Sequence, residues 1–420
     1  MIAAYVLDIN GSPLMPMHNF KKVRKLLKEK KAKVVSREPF VIKLLYETKT
    51  NIVQDCVLGI DTGSKYIGAA VISNGKVLYT SEVKIKDDIK SKMDRRRAYR
   101  QNRRYRKTRY RKPRFLNRGN STKKGRYSPT LRSKFDSHVR EIEFIKSILP
   151  IKKLILEVGQ FDTHKLKNPN VKGWGYQKGP NYGFANSREH ALCRDNYTCQ
   201  VCKAKNTRLE VHHIKYRSQG GTDDLDNLIT LCADCHKKVH AGELSINKKP
   251  KKLPNFSSAT IMSILRSMLL KHYPEAIETF GFITKENRLN LSLPKEHFID
   301  ACVIASGGEE FILPRDVFVK RHVTRGDYQS TKGVRSEQRI PLSKILGFRK
   351  WDKVIYMGRE YFIKGRRTSG TCDLEDIHGS KIDFSYMPRG FKTPKLSNCK
   401  RISARSTALC QRIEYVPKAS

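Results

Sequence analysis

The sequence predicts a multidomain α/β protein: a mixed sheet assembled from distant pieces of chain, a small ββα module stapled by zinc, and a small β-rich C-terminal domain. Three observations lead there. Two Cys-x-x-Cys pairs, Cys199/Cys202 and Cys232/Cys235, bracket His212-His213-Ile214, with His236 directly after the second pair. Short apolar runs end in acidic residues at 56–61 and 153–157, and a third apolar run, opening at 297–301, is helical in pattern. The 420 residues include 85 Lys and Arg against 40 Asp and Glu, a formal net charge of +45.

The first apolar run predicts a strand at 56–60 ending in Asp61-Thr62-Gly63-Ser64, then a strand at 66–72, an Asn74-Gly75 hairpin turn and a strand at 77–85. A "DTG" turn also occurs in aspartic proteases and nucleotide-binding folds. Downstream, "KLILEV" at 153–158 is another strand, with Glu157 near its end, where a solvent-facing Glu is the plain alternative. His297 and Asp300 stand at i and i+3 and share a helix face. Acids on a first strand, a later strand and a late helix are the set needed to hold two Mg²⁺ ions beside a phosphodiester.

Between these pieces the chain is strongly basic. Twelve of the twenty positions 95–114 are Lys or Arg and none is acidic, with Tyr99, Tyr105 and Tyr110 interleaved. With no Gly and a single Pro, Pro113, the stretch reads as a helix embedded in nucleic acid, and as a disordered basic arm otherwise. Arg95, Arg96, Arg97, Arg100, Arg103, Arg104, Arg106, Lys107, Arg109 and Arg111 are its nucleic-acid-binding candidates. Leu131, Phe135, Val139, Ile142, Ile145 and Leu149 recur at helical spacing, as do Ile261, Ile264, Leu265, Met268 and Leu269.

Four thiolates in two Cys-x-x-Cys knuckles suit a tetrahedral structural Zn²⁺. The histidines left over, with Asn227, have the residue types of a one-metal phosphodiester-cleaving centre; a plain zinc knuckle with surface histidines is the alternative. Pro and Gly in the linker 165–184, and Pro in the linker 248–254, argue for hinged attachment. Further on, "KVIYMGREYFIKG" and "SKIDFSYMP" suggest a small antiparallel β barrel. Lys350, Arg359 and Arg366 are phosphate-contacting or solvated charges there. Cys372, Cys399 and Cys410 read as plain thiols.

The charge excess points to a polyanion that releases counterions on binding, so nucleic acid is the expected partner. A membrane is not, since no apolar run reaches a membrane span and the apolar start at 1–6 is cut off by Asp8. Ten cysteines, four of them in the metal knuckles, fit a reducing cytoplasm.

The text "CQVC" with "VHHIKYRSQGGTDDLDNLITLCADCHKKVH" resembles the HNH (ββα-metal) endonucleases. The resemblance implies His213 as general base, His212 and His236 as ligands of a divalent cation, and Asn227 orienting the base or touching the metal. His240, four residues after His236, is a second ligand candidate or a plain helix-face residue. Asp61, Glu157 and Asp300, with His297, resemble the active-site set of a ribonuclease H-like (RuvC) fold split by insertions. The order of the pieces, and "GSPLMP" near the start, resemble the IscB family, transposon-encoded relatives of the CRISPR type II effectors. That resemblance implies an RNA-guided DNA endonuclease, a monomeric ribonucleoprotein of the prokaryotic cytoplasm and nucleoid. Its HNH centre would cut the strand of double-stranded DNA paired to the guide RNA, and its RuvC-like centre the displaced strand, with Mg²⁺ catalytic and Zn²⁺ structural. The expected division is 1–52 as the PLMP domain, 53–93, 116–165 and 255–312 as the RuvC-like pieces, and 94–115 as an arginine-rich bridge helix. The HNH module with linkers takes 166–254, and 313–420 is the C-terminal region contacting guide and target-adjacent motif. A guide-free homing or restriction-type HNH endonuclease and a non-catalytic RNA-binding transposon factor are the competing readings.

Overall fold

A run such as CVLGIDT, apolar at almost every position, makes a strand only if both of its faces are covered. The computed structural model describes residues 3–48, 52–105, 126–179, 181–219, 221–246, 256–326, 341–388 and 391–415. The chain divides into two units, Met1–Gln160 with Ile261–Ser420, and Phe161–Thr260. The second unit is wider than the expected 166–254.

The first unit opens with β1 (Ala4–Leu7), β2 (Pro13–Met17), α1 (Phe20–Lys28), β3 (Ala32–Arg37) and β4 (Phe40–Leu44). The strands form a sheet in the order β2-β1-β4-β3. Val23 and Leu26 of α1 pack with Val6, Ile42 and Leu44. The basic run 20–35 is helical only in its first part. Lys30 turns the chain at φ +54°, and the β-branched pair Val34-Val35 continues as strand β3.

The large sheet begins with the antiparallel meander β5 (Cys56–Thr62), β6 (Tyr66–Ser73) and β7 (Lys76–Lys84). Asn74 and Gly75 take φ of +49° and +69°, the left-handed pair that matches a two-residue hairpin to strand twist. The chain continues through α2 (Ile89–Tyr105) and α3 (Pro129–Lys146) into β8 (Ile151–Glu157), which lies parallel to β5. The second unit holds α4 (Thr163–Lys167), α5 (Ser187–Arg194), β9 (Leu209–His213), β10 (Leu228–Cys232) and α6 (Ala233–Ala241). After α7 (Ser257–His272), β11 (Ile277–Thr279) adds parallel to β8, followed by α8 (Gly281–Asn290) and α9 (His297–Ser306). Helix α7 buries Met262, Leu265, Met268 and Leu269, whereas Ile264, expected on the buried face, is 39% exposed.

The C-terminal region does not stand apart as expected. Strand β12 (Asp316–His322) pairs parallel with β7. After β13 (Lys353–Tyr356), β14 (Arg359–Arg366), β15 (Cys372–Glu375) and β16 (Lys400–Ser403), strand β17 (Ala408–Glu414) pairs with β12. The large sheet is thus seven-stranded, in the order β11-β8-β5-β6-β7-β12-β17. Edge strand β7 still had unpaired backbone groups to satisfy, and β12 satisfies them. The other four strands form an antiparallel sheet in the order β15-β14-β13-β16, and no described pairing closes it into a barrel. The SKIDFSYMP segment contributes a single bridge, Glu375 to Lys381, rather than a strand.

One buried ion pair ties these pieces together. Lys320 Nζ lies 2.7 and 3.0 Å from the Glu141 carboxylate, whose Oε1 also accepts from Tyr79 (3.0 Å) and Ser81 (2.8 Å). A charge this deep persists only because its oxygens are satisfied from α3, β7 and β12 together.

Helix α9 covers the centre of the sheet at backbone distance. A Cβ on Gly59 would sit 2.5 Å from the Ala301 carbonyl and 2.6 Å from the Ala305 nitrogen, and one on Gly68 would strike the His297 carbonyl. Gly59→Ala therefore forces the helix off the sheet. We expect a loss of about 1–3 kcal/mol, as in other overpacked cores, read by urea unfolding; an unchanged midpoint would contradict this packing.

Candidate active sites

The second unit builds its site on a hairpin followed by a helix. Strands β9 and β10 pair antiparallel with His213 opposite Leu228 and His212 opposite Ile229. Helix α6 starts at once after β10 and carries His236 and His240 one turn apart, on one face. The ring nitrogens of His212, His236 and His240 all lie within 4.8 Å of one another. His236 Nε2 is 3.2 Å from His240 Nε2, and His236 Nδ1 is 2.6 Å from Glu210 Oε2. Glu210 therefore holds the Nδ1 proton and turns the other nitrogen's lone pair into the cluster, the usual carboxylate–histidine support of a metal ligand. Burial, then His236 and His240, bring His212 down to about 4, so it is neutral and able to ligate.

The structure thus brings His240 together with His212 and His236 in a group that could hold a metal ion. It also changes the suitable ion. Three imidazole nitrogens are a poor set for Mg²⁺, which takes oxygen ligands, and a good one for Zn²⁺ or another late transition ion.

His213 stands apart from this cluster. Its Nε2 is 2.7 Å from Asp223 Oδ1, and Arg217 also binds that oxygen at 2.7 Å. An open cleft of about 620 Å³ is lined by His213, Asp223, Arg217, His236, Arg208 and Arg188. Asn227 neither touches the histidine cluster nor reaches His213. Its Nδ2 donates to the carbonyls of Lys215 (3.0 Å) and Thr222 (2.7 Å), and its Oδ1 accepts from Lys215 N (2.9 Å). The amide is fully used in closing the loop that ends in Asp223, so it acts on the base only through that loop.

The four cysteines gather elsewhere in the module. Cys199, Cys202, Cys232 and Cys235 place their sulfurs within 4.8 Å of one another, with Cys202 and Cys232 at 3.6 Å. Burial raises the Cys199 thiol, but backbone N–H groups of Cys202, Cys232 and Val201 aimed at its sulfur outweigh this and bring it to about 6. Burial and the neighbouring cysteines push Cys235 the other way, up to about 12, so it is the convergence of four sulfurs that fits a structural Zn²⁺.

The first unit gathers its acids at one end of the large sheet. Asp61 on β5 is in register with Glu157 on the parallel β8, so the two side chains share a face. Helix α9 adds His297, whose Nδ1 is 2.6 Å from Asp61 Oδ2 and whose ring stacks on Tyr66. Asp300, one helical turn on, faces Arg288 of α8 at 2.9 Å. Glu157 lies against the start of α8, where a Cβ on Gly281 would be 3.0 Å from its Oε1. Burial, then the Asp61 charge, push Glu157 up to about 7 and Asp300 to about 6. Among the described residues, only the thiols and imidazoles form groups as close as 4.8 Å. The three carboxylates do not all come that close; Asp61 meets His297 and Asp300 meets Arg288. Even so, acids crowded enough to hold each other's protons are a fitting place for a divalent cation.

Arg95, Arg96, Arg97, Arg100 and Arg103 lie exposed along α2, and Arg104 belongs to the same helix. Arg106, Lys107, Arg109 and Arg111 fall outside the described residues, as does the 248–254 linker. Glu210, Asp223 and Arg288 were not singled out from sequence. Glu210 could have been, since it is two residues before His212 and on the same strand face.

Two outcomes follow. From pH 4.5 to about 7 the native Glu157 keeps a proton that the unfolded chain has released. Stability without Mg²⁺ therefore falls as pH rises through that window. Glu157→Gln should flatten this fall in unfolding midpoints taken from pH 5 to 8; an identical slope would contradict the crowding. Cys199→Ser should reduce bound zinc by about one ion per chain and open the module to protease, while unchanged zinc content would exclude the tetrad as its site.

The RRXRR protein family matches residues 4–179, and the HNH endonuclease family matches residues 199–242. Anaredoxin from a Nostoc species is 38% identical over 71 residues, covering 17% of this chain and 92% of that protein. The type IV methyl-directed restriction enzyme EcoKMcrA of Escherichia coli is 32% identical over 85 residues, 20% of this chain and 28% of the enzyme. No helix among the described residues is long and apolar enough to cross a membrane. Thiol tetrad, histidine cluster and family match coincide: the chain carries an HNH endonuclease domain over residues 199–242 and an RRXRR region over residues 4–179.

Proposed function

We propose that the chain is an IscB-like, RNA-guided DNA endonuclease with two cutting centres, the HNH module and a RuvC-like site at Asp61, Glu157, His297 and Asp300. The observation that carries the second centre is the meeting of these four residues at one end of a sheet whose first three strands are antiparallel and whose next two are parallel. That arrangement supports a ribonuclease H-like reading. The exposed arginines of α2 and the RRXRR match support nucleic acid, here guide RNA and DNA, as the partner.

In the HNH module Asp223 fixes the proton on His213 Nε2, which leaves Nδ1 to accept one from the attacking water. Arg217 braces Asp223, and Arg208 and Arg188 on the cleft supply positive charge for a phosphate. His212, His236 and His240 would hold one cation, and Asp61, Glu157 and Asp300 would hold Mg²⁺. Bound divalent cations supply Lewis acidity at the scissile phosphate and its leaving oxygen. In the first unit His297, hydrogen-bonded to Asp61, orients that carboxylate. The EcoKMcrA match favours a second reading, a guide-free restriction-type endonuclease.

A target labelled on both strands, supplied with matched guide RNA, tests the proposal. Asp61→Ala should abolish only the cut in the displaced strand, and His213→Ala only the cut in the guide-paired strand, each by about 100-fold or more. Loss of both cuts from either change would reject two independent centres. Undiminished cutting after RNase treatment would favour the guide-free enzyme.

A further inference from the structure

The segment leading into the second unit's metal module has a surface that neither cutting centre uses. Val171 is buried at one end, and at the other Phe184 stacks on His190 with ring centres 4.1 Å apart and planes 9° apart. Between these anchors the 3-10 turn Gly173–Gln177 carries Trp174 outward; Gly173 takes φ +46°, which a residue with a Cβ would resist. Trp174 is 64% exposed and Tyr182 57% exposed. Lys178 sits between them, its Nζ 4.4 Å from the Trp174 ring and 5.3 Å from the Tyr182 ring. Tyr176 is tied back by its hydroxyl to Asp162 at 2.6 Å, so it is not part of the open pair.

The charge around this pair is one-sided. Between Asp162 and Glu189 there is no acidic residue, while Lys165, Lys167, Lys172, Lys178 and Arg188 are basic. Two bare rings sharing one ammonium, in a purely cationic stretch, match an aromatic face for a base and a positive charge for its phosphate. A duplex cannot use such rings, because its bases are already stacked on each other. We infer that Trp174, Lys178 and Tyr182 form a stacking platform for unpaired nucleotides of a single-stranded DNA or RNA segment. This inference rests on the nucleic-acid reading above, but it concerns binding and not cutting.

Trp174 and Trp351 are the two tryptophans of the chain. In full-length Trp351→Phe protein without added Mg²⁺, indole emission therefore reports Trp174 alone. Single-stranded DNA, single-stranded RNA and a blunt duplex, each of about the ~4–16 nucleotides such sites span, serve as probes. The platform predicts quenching by a single strand, the two strand types showing which is preferred, and little by the duplex. In an otherwise unchanged chain, Trp174→Ala with Tyr182→Ala should weaken single-strand affinity about tenfold or more by fluorescence anisotropy, with zinc content unchanged. Equal quenching by the duplex, no quenching by either strand, or undiminished affinity in the double variant overturns the platform. Guided, strand-specific cutting that persists beside such a failure would leave the nuclease reading standing and remove only this surface.

Discussion

The close seating of α9 on β5 and β6 is the constraint on which the first unit's chemistry depends. Gly59 and Gly68 let helix backbone meet strand backbone, and nothing larger than a hydrogen fits at either position. That contact fixes the height and rotation of the helix, and with them the places of His297 and Asp300 above Asp61. The carboxylates are costly neighbours, as the raised protonation of Glu157 and Asp300 shows. The apolar packing of α9 through Phe298, Ile299, Cys302 and Val303 holds them together despite that cost.

The HNH module solves a similar problem with different ligands. Its imidazoles come from the hairpin and helix, its sulfurs from the turn before β9 and from the start of that helix, and they form two separate groups. Cys232 and Cys235 lie where β10 passes into α6, while His236 and His240 lie further along that helix. One group therefore secures the strand-to-helix junction, and the other is left for chemistry. His213 is held by Asp223 and not by either group.

Much of this was legible in the sequence because it is local. Alternating and continuous apolar runs gave the strands, and acids at strand ends gave Asp61 and Glu157. The Cys-x-x-Cys spacing gave the tetrad, and i, i+4 spacing gave the pairing of His236 with His240. The long-range partners were not legible. Arg288 meets Asp300 only because α8 and α9 fold together, and Asp223 meets His213 only because Asn227 closes a loop. The joining of β12 to β7 depends on which edge is open, and no nearby residue encodes that. Asn227 was read as touching base or metal because its residue type permits either; its neighbours' carbonyls reached it first. Mg²⁺ was assigned to the histidines from family likeness, against the preference of the donor atoms themselves.

The pairing of β7 with β12, and of β12 with β17, has a consequence for how the chain comes off the ribosome. The meander is synthesised by residue 84, but its open flank is not covered until residues 316–322 arrive, and that strand in turn waits for residues 408–414. During that interval a nascent chain presents an open strand edge able to pair with another copy. Lys320 arrives with β12, so Glu141 also spends this time without its cation. The first unit's sheet can therefore close only once the last strand of the chain has been made.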